Sequence, residues 1–345
     1  MYRIHNGFHF SIAALLLAAA MAGEPSARNI DKQQVVEITG KGPAVLWRYP
    51  NDIATRNLYY GPGGKADAPR DVFYTFEKED LDGSNPKLNV LAPDGVKWKA
   101  KLGAEVRPET VASRLVWAVG YFADEDYFMP VLRLKNPPAH LSRGQKYLTP
   151  DGLLRDVRME RNVPGRKKIG KWEWLNNPFL GSREFNGLRV MMAVINNWDL
   201  KDENTAVLQA EGPDGPFQLY EVSDLGASFG TPGFGWTKRS SRGNVKAYTH
   251  DKWIRRVDSE FIDFNVPGRP AVDHLPAFHE WKRRMELRQI GWKIPLDDAR
   301  WMGDLLGQLS SGQIRDAFRA AGYDNLVSEN FSREVEERIA ELKSL

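Results

Sequence analysis

Asp199, Lys201 and Asn204 fall within six residues of one another, directly behind a nearly unbroken apolar run at 188–195. Asp224-Leu225-Gly226 begins twenty positions after Asn204. Between the two motifs lie two β-rich runs, 205–210 and 217–222, joined by Gly212-Pro213-Asp214-Gly215-Pro216, which reads as a hairpin. A carboxylate such as Asp199 accepts or orients a hydroxyl proton, while the Asn204 amide oxygen and the Asp224 carboxylate are hard oxygen donors suited to Mg²⁺ or Mn²⁺. This ordered set of acid, cation, amide and acid constrains the chain more than any other stretch.

The chain has 345 residues, enough for one large domain or two halves with a substantial core. A formal net charge of +3 gives no whole-chain argument for nucleic acid. The absence of cysteine excludes disulfides, thiolate metal sites and a cysteine nucleophile. No histidine pair has metalloprotease spacing. Residues 1–22 read as an export signal: Arg3 precedes an apolar run at 12–20, and Ala20-Met21-Ala22 suits cleavage. The run is too short to span a bilayer comfortably, so the mature chain is expected to carry no stable membrane span and to be periplasmic or extracellular. Residues 23–70 read as an extension or linker.

Between 71 and 102 the pattern is strand, turn, strand, turn, strand. The strands are 72–76, 88–91 and 96–102, and the turns centre on Gly83-Ser84 and Pro93-Asp94-Gly95. On the third strand Val96, Trp98, Ala100 and Leu102 form one face, and Lys97, Lys99 and Lys101 the other. A helix follows at 108–119, with Val111, Leu115, Val116 and Val119 as its apolar stripe. A further strand, 127–134, leads to a hinge expected at Asn136-Pro137-Pro138. Beyond it lie a basic cluster (Arg161, Arg166, Lys167, Lys168, Lys171), helical material over 172–195, and a Gly/Ser/Thr-rich segment at 229–243 suited to facing a substrate. Helices are expected at 279–288, 297–308, 311–321 and 332–345, the last starting at a Ser332 cap.

The order Asp199, Lys201, Asn204, Asp224 resembles the catalytic loop and metal-binding turn of the protein-kinase-like superfamily. Residues 109–121 resemble the glutamate-bearing helix of its atypical members, which include lipid-kinase-like and secretory-pathway enzymes. The resemblance spans about residues 70–230. It implies an α+β, two-lobed protein-kinase-like fold. In that fold a small antiparallel sheet lobe with one helix (71–136) binds nucleotide, and a larger, mainly helical lobe (137–345) carries the catalytic loop. It further implies an ATP-dependent phosphotransferase, using ATP or another nucleoside triphosphate with Mg²⁺ or Mn²⁺. Asp199 and Lys201 would be catalytic, and Asn204 and Asp224 metal ligands. Lys101, with Lys99 as second choice, would pair with Glu109 or alternatively Glu105, and the Gly83-Ser84 turn would cover the phosphates. The acceptor would be a protein, a lipid or a small molecule. Asn197-Trp198 replaces the usual His-Arg, Leu225 the usual phenylalanine, and no A-P-E follows, which points away from ordinary Ser/Thr/Tyr kinases. The alternative is a catalytically inactive kinase-like binding module.

Overall fold

Alternation of apolar and polar residues over 73–102 gives each of three strands one face for a core and one for solvent or charge. The computed structural model describes residues 40–83, 85–197, 199–231, 242–266 and 285–345. The expected export signal and Ser84 therefore lie outside the described residues, as do most of the segment at 229–243 and of the helix at 279–288.

In chain order the strands are β1 (Ala44–Val45), β2 (Phe73–Asp80), β3 (Lys87–Leu91), β4 (Lys97–Leu102), β5 (Asp126–Lys135), β6 (Leu153–Arg161), β7 (Lys167–Gly170), β8 (Thr205–Gly212), β9 (Gly215–Val222), β10 (Ile254–Val257), β11 (Phe261–Phe264) and β12 (Ile294–Pro295). The helices are α1 (Val106–Ala118), α2 (Arg183–Val194), α3 (Val245–Thr249), α4 (Leu296–Leu306), α5 (Ser311–Ala320) and α6 (Asn325–Lys343). Together they make a mixed α/β molecule.

Strands β2-β3-β4-β6-β5 close into the barrel, sealed by a parallel pairing of β2 with β5. Its interior is the period-two face of each strand: Leu88 and Val90, then Trp98, Ala100 and Leu102, then Leu132 and Leu134, then Val157 and Met159. Two expectations change here. The small sheet is not purely antiparallel. The chain also does not leave it at the hinge expected at 136–138, because β6 pairs along both β4 and β5. That strand was hidden by its charges, which alternate with the apolar residues that face the core.

A second, larger core gathers the helices with sheet β1-β9-β8-β7. Trp172, Trp174 and Phe185 pack within it in tilted and edge-to-face contacts. Residues 172–182, expected to be helical, are instead irregular, and α2 starts only where the Ser182 hydroxyl accepts from Phe185 N–H. Likewise α6 begins at Asp324, whose carboxylate caps Val327 N–H, and Ser332 is buried within it. The apolar stripe of α1 (Val111, Leu115, Val116) belongs to this larger core and not to the barrel's. Helix α1 is thus held from below, while its polar side faces the barrel: Ser113 and Arg114 both bond to Asp126 at the start of β5.

Candidate active site

Lys101 is the next-to-last residue of β4, so alternation turns Ala100 and Leu102 into the barrel and Lys101 out of it. Gly103, at φ +107°, swings the chain at once into α1, which places Glu105 at the helix N-cap and Glu109 one turn further. Lys101 Nζ lies 2.7 Å from Glu109 Oε2, 2.9 Å from Glu105 Oε2 and 2.5 Å from Asp224 Oδ1. The end of β4, the first turn of α1 and, from more than a hundred residues further on, Asp224 therefore meet on one ammonium group. Lys101 is 3% exposed and Glu109 1%, whereas the Asp224 side chain is 46% exposed. Lys99 faces the same side but pairs with Glu160 at 3.1 Å.

The charges around Lys101 form a continuous buried network. Arg158 on β6 holds the other oxygen of Glu109 at 2.9 Å, Asp126 at 3.2 Å and Glu160 at 2.6 Å. Asp126 also receives Arg114 at 3.0 Å, and Glu105 receives Arg242 at 2.7 Å. Burial works against the Lys101 charge, but Glu109, Asp224 and Glu105 raise it well above the ordinary lysine value. Burial likewise opposes ionisation of Asp224, and Lys101 outweighs it, holding the carboxyl below its usual range. For Glu160, Arg158 and Lys99 overcome burial and draw the group down to about 2. Glu109 goes the other way: burial outweighs Arg158 and Lys101 and pushes its carboxyl up to about 8, so charge is held on Lys101, Asp224 and Glu160 but not firmly on Glu109.

The second motif is assembled locally. Asn196, at φ +55°, ends the α2 run, and Phe229 N–H donates to Ile195 O at 2.8 Å. Asp199 Oδ2 accepts from Lys201 Nζ at 3.1 Å, and Asn204 Nδ2 donates to the Asp199 carbonyl at 2.7 Å. The β8–β9 hairpin then brings the motifs together: Thr205 pairs with Val222, and Ser223 N–H donates to Asn204 O at 3.0 Å. Asp224 follows in the left-handed conformation, φ +52° and ψ +51°, which costs a non-glycine residue about 1–2 kcal/mol. Gly226 is required by close approach, since a Cβ there would stand 2.4 Å from Glu105 Cβ.

A cavity of about 650 Å³ opens over this cluster. Gly83, Lys101, Glu109 and Asp224 line it. Asp199, Lys201 and Asn204 stand outside its lining, tied to it through the bond to Ser223. Arg161 and Arg166, from the basic cluster, also line it and pair with Glu125 at 3.4 and 3.6 Å. Sequence reasoning missed Arg158, Glu160, Asp126 and Arg114. The available signal was the period-two pattern of Val157-Arg158-Met159-Glu160, an inward apolar residue followed each time by an outward charge.

Among the described residues, no helix is long and apolar enough to cross a membrane. No protein-family model matches the chain, and no curated protein matches it. Among solved structures, the crystal structure of a Helicobacter pylori proinflammatory kinase CtkA matches with a TM-score of 0.45 and 10% identity, over 80% of this chain and 98% of that one. A likeness of this size is no guide to activity, and what the site can do rests on its own side chains.

Proposed function

We propose that the chain is a kinase-like phosphotransferase that moves a phosphoryl group from ATP, or another nucleoside triphosphate, to a hydroxyl acceptor. The observation that carries this reading is Lys101 Nζ within 2.9 Å of Glu109 and Asp224 at once. Phosphoryl transfer asks little covalent chemistry of a protein; it asks for oriented cations, oxygen donors and a positioned acceptor. Lys101, ordered by Glu109 and Arg158, holds phosphate oxygens. Asp199 orients the acceptor hydroxyl, and Lys201 meets the transferred phosphate. In this reading the barrel and the larger core are the two lobes of a kinase-like fold, with the nucleotide in the cavity between them.

Asp224 and Asn204 would hold a divalent ion, Mg²⁺ or Mn²⁺, which neutralises phosphate charge when bound. The donor set fits: one carboxylate and one amide are hard oxygen ligands. The oxygens of Glu105 and Glu109 are engaged by Lys101, Arg242 and Arg158, whereas Asp224 is half-exposed into the cavity. The protein acts after export, on a protein, lipid or small-molecule acceptor.

Thermal shift of the wild type with Mg·ATP and Mn·ATP tests this. A metal-dependent rise that disappears in Asp224→Ala, with phosphate transfer that disappears in Asp199→Asn, is the expected result. No shift in the wild type with either metal removes the proposal. A second reading, an inactive binding module, is favoured by the engagement of both functional acids with lysines, Asp224 with Lys101 and Asp199 with Lys201. It predicts nucleotide binding without transfer.

A further inference from the structure

The cavity-facing side of the barrel carries its charges in cross-strand rungs. One rung runs Asp80–Lys87–Lys101–Arg158, from β2 through β3 and β4 to β6. Lys101 and Arg158 are each surrounded by acids, as described above. Lys87 is not: its nearest carboxylate, Asp80, stands 3.7 Å away, beyond hydrogen-bond reach, although the lysine side chain is only 20% exposed. Like charges directly opposite one another on adjacent strands are destabilising. The fold nevertheless sets Lys87 directly across from Lys101 and points it into the cavity.

Two further observations locate its ammonium group. A Cβ built on Gly83 would lie 3.7 Å from Lys87 Nζ, so the lysine reaches back beneath the turn that joins β2 to β3. It also lines the same cavity as Lys101 and Asp224. The turn itself is pinned. Arg143 donates to the carbonyls of Asp80, Asp82 and Gly83, Glu79 accepts from the backbone N–H groups of Ser142 and Arg143, and Asn85 donates to Glu105. The carbonyls of Asp80, Asp82 and Gly83 are thus committed to one arginine, and the turn carries a single glycine. A half-buried, loosely paired lysine at the same place supplies the missing cation.

We propose that Lys87 is a second phosphate-holding residue of this cleft, engaging the terminal phosphates of a nucleoside triphosphate opposite Lys101. This rests on the phosphotransferase reading, and the test separates the two. Calorimetric titration would compare wild type, Lys87→Ala, Lys87→Glu and Lys87→Arg with Mg·ATP, adenosine and inorganic tripolyphosphate. The expected result is about tenfold weaker Mg·ATP binding in Lys87→Ala, a larger loss in Lys87→Glu and recovery in Lys87→Arg. Adenosine affinity stays unchanged throughout, which loss of structure alone would not produce. Wild-type affinity for Mg·ATP in Lys87→Ala overturns the inference and leaves the phosphotransferase reading intact. Lys87-dependent binding of tripolyphosphate without binding of Mg·ATP supports the anion site and removes the phosphotransferase reading. Binding of neither ligand to wild type overturns both. Thermal melts of each variant confirm folding; because the Asp80 pair is loose, Lys87→Ala is expected to melt with the wild type.

Discussion

The cluster that lines the cavity and the loop tied to it through Ser223 are built on opposite principles. The cluster around Lys101 is largely buried, draws on β4, β6, α1 and the turn after β9, and ties Lys101 to Asp224 and Arg158 to Glu109 across the chain as well as to acids close in sequence. The loop from Asp199 to Asn204 is partly exposed, and its Asp199, Lys201 and Asn204 side chains bond to one another within six residues. A buried charge network holds only as a whole, because removing one member strands the others in a low dielectric. An exposed local pair contributes little to folding and is free to serve chemistry. The first region is therefore expected to report on stability and the second on turnover.

The largest test of that contrast is Arg158→Ala. Arg158 is 2% exposed and bridges Glu109, Asp126 and Glu160, so three carboxylates lose a partner together. A loss of about 3–5 kcal/mol is expected in chemical denaturation. A loss under about 1 kcal/mol would mean that the network does not hold the barrel to α1, and the contrast between the regions would collapse.

A middle-sized effect is expected at the joint between them. Gly226→Ala adds a Cβ 2.4 Å from Glu105 Cβ, a contact with the stem of the side chain and not its flexible end. The backbone after Asp224 or the start of α1 must shift. Overpacking of this kind costs about 1–3 kcal/mol. Because Glu105 also holds Lys101, the variant is expected to lose its metal-dependent nucleotide shift out of proportion to its stability. A variant that melts lower but keeps the full shift would uncouple the turn from the Lys101 cluster.

What the sequence made legible follows the same divide. The local loop, the β8–β9 hairpin and the lysine face of β4 were readable because each depends on spacing over a few residues, as in Asp199, Lys201 and Asn204. The choice between Lys101 and Lys99 was not, since both lie on one face of one strand. It is decided by what opposes each: Arg158 is Lys101's cross-strand neighbour and Glu160 is Lys99's. Strand β6 was passed over because Arg155, Arg158 and Arg161 look like solvated surface until the barrel closes around them. The start of α6 was placed too late because Ser332 followed by acids imitates a cap, whereas Phe331 and Val335 are already buried on either side of it. The period-two pattern of β6 marks such side chains as outward-facing, but their partners, arriving from a distant strand, are not written beside them.

The smallest structural effect, and the sharpest separation, belongs to Lys201→Ala. Its side chain is 35% exposed and its partner Asp199 26%, a pairing that contributes about 0–1 kcal/mol to folding at most. Melting within a few degrees of wild type is therefore expected. Removing the cation also frees the Asp199 carboxylate, which keeps a bond of 3.4 Å from the Asn204 amide. If Lys201 meets the transferred phosphate, transfer falls at least tenfold while nucleotide binding, carried by the Lys101 cluster, is retained. Equal loss of binding and transfer would put Lys201 in the ground-state site, and undiminished transfer would leave it only a brace for Asp199.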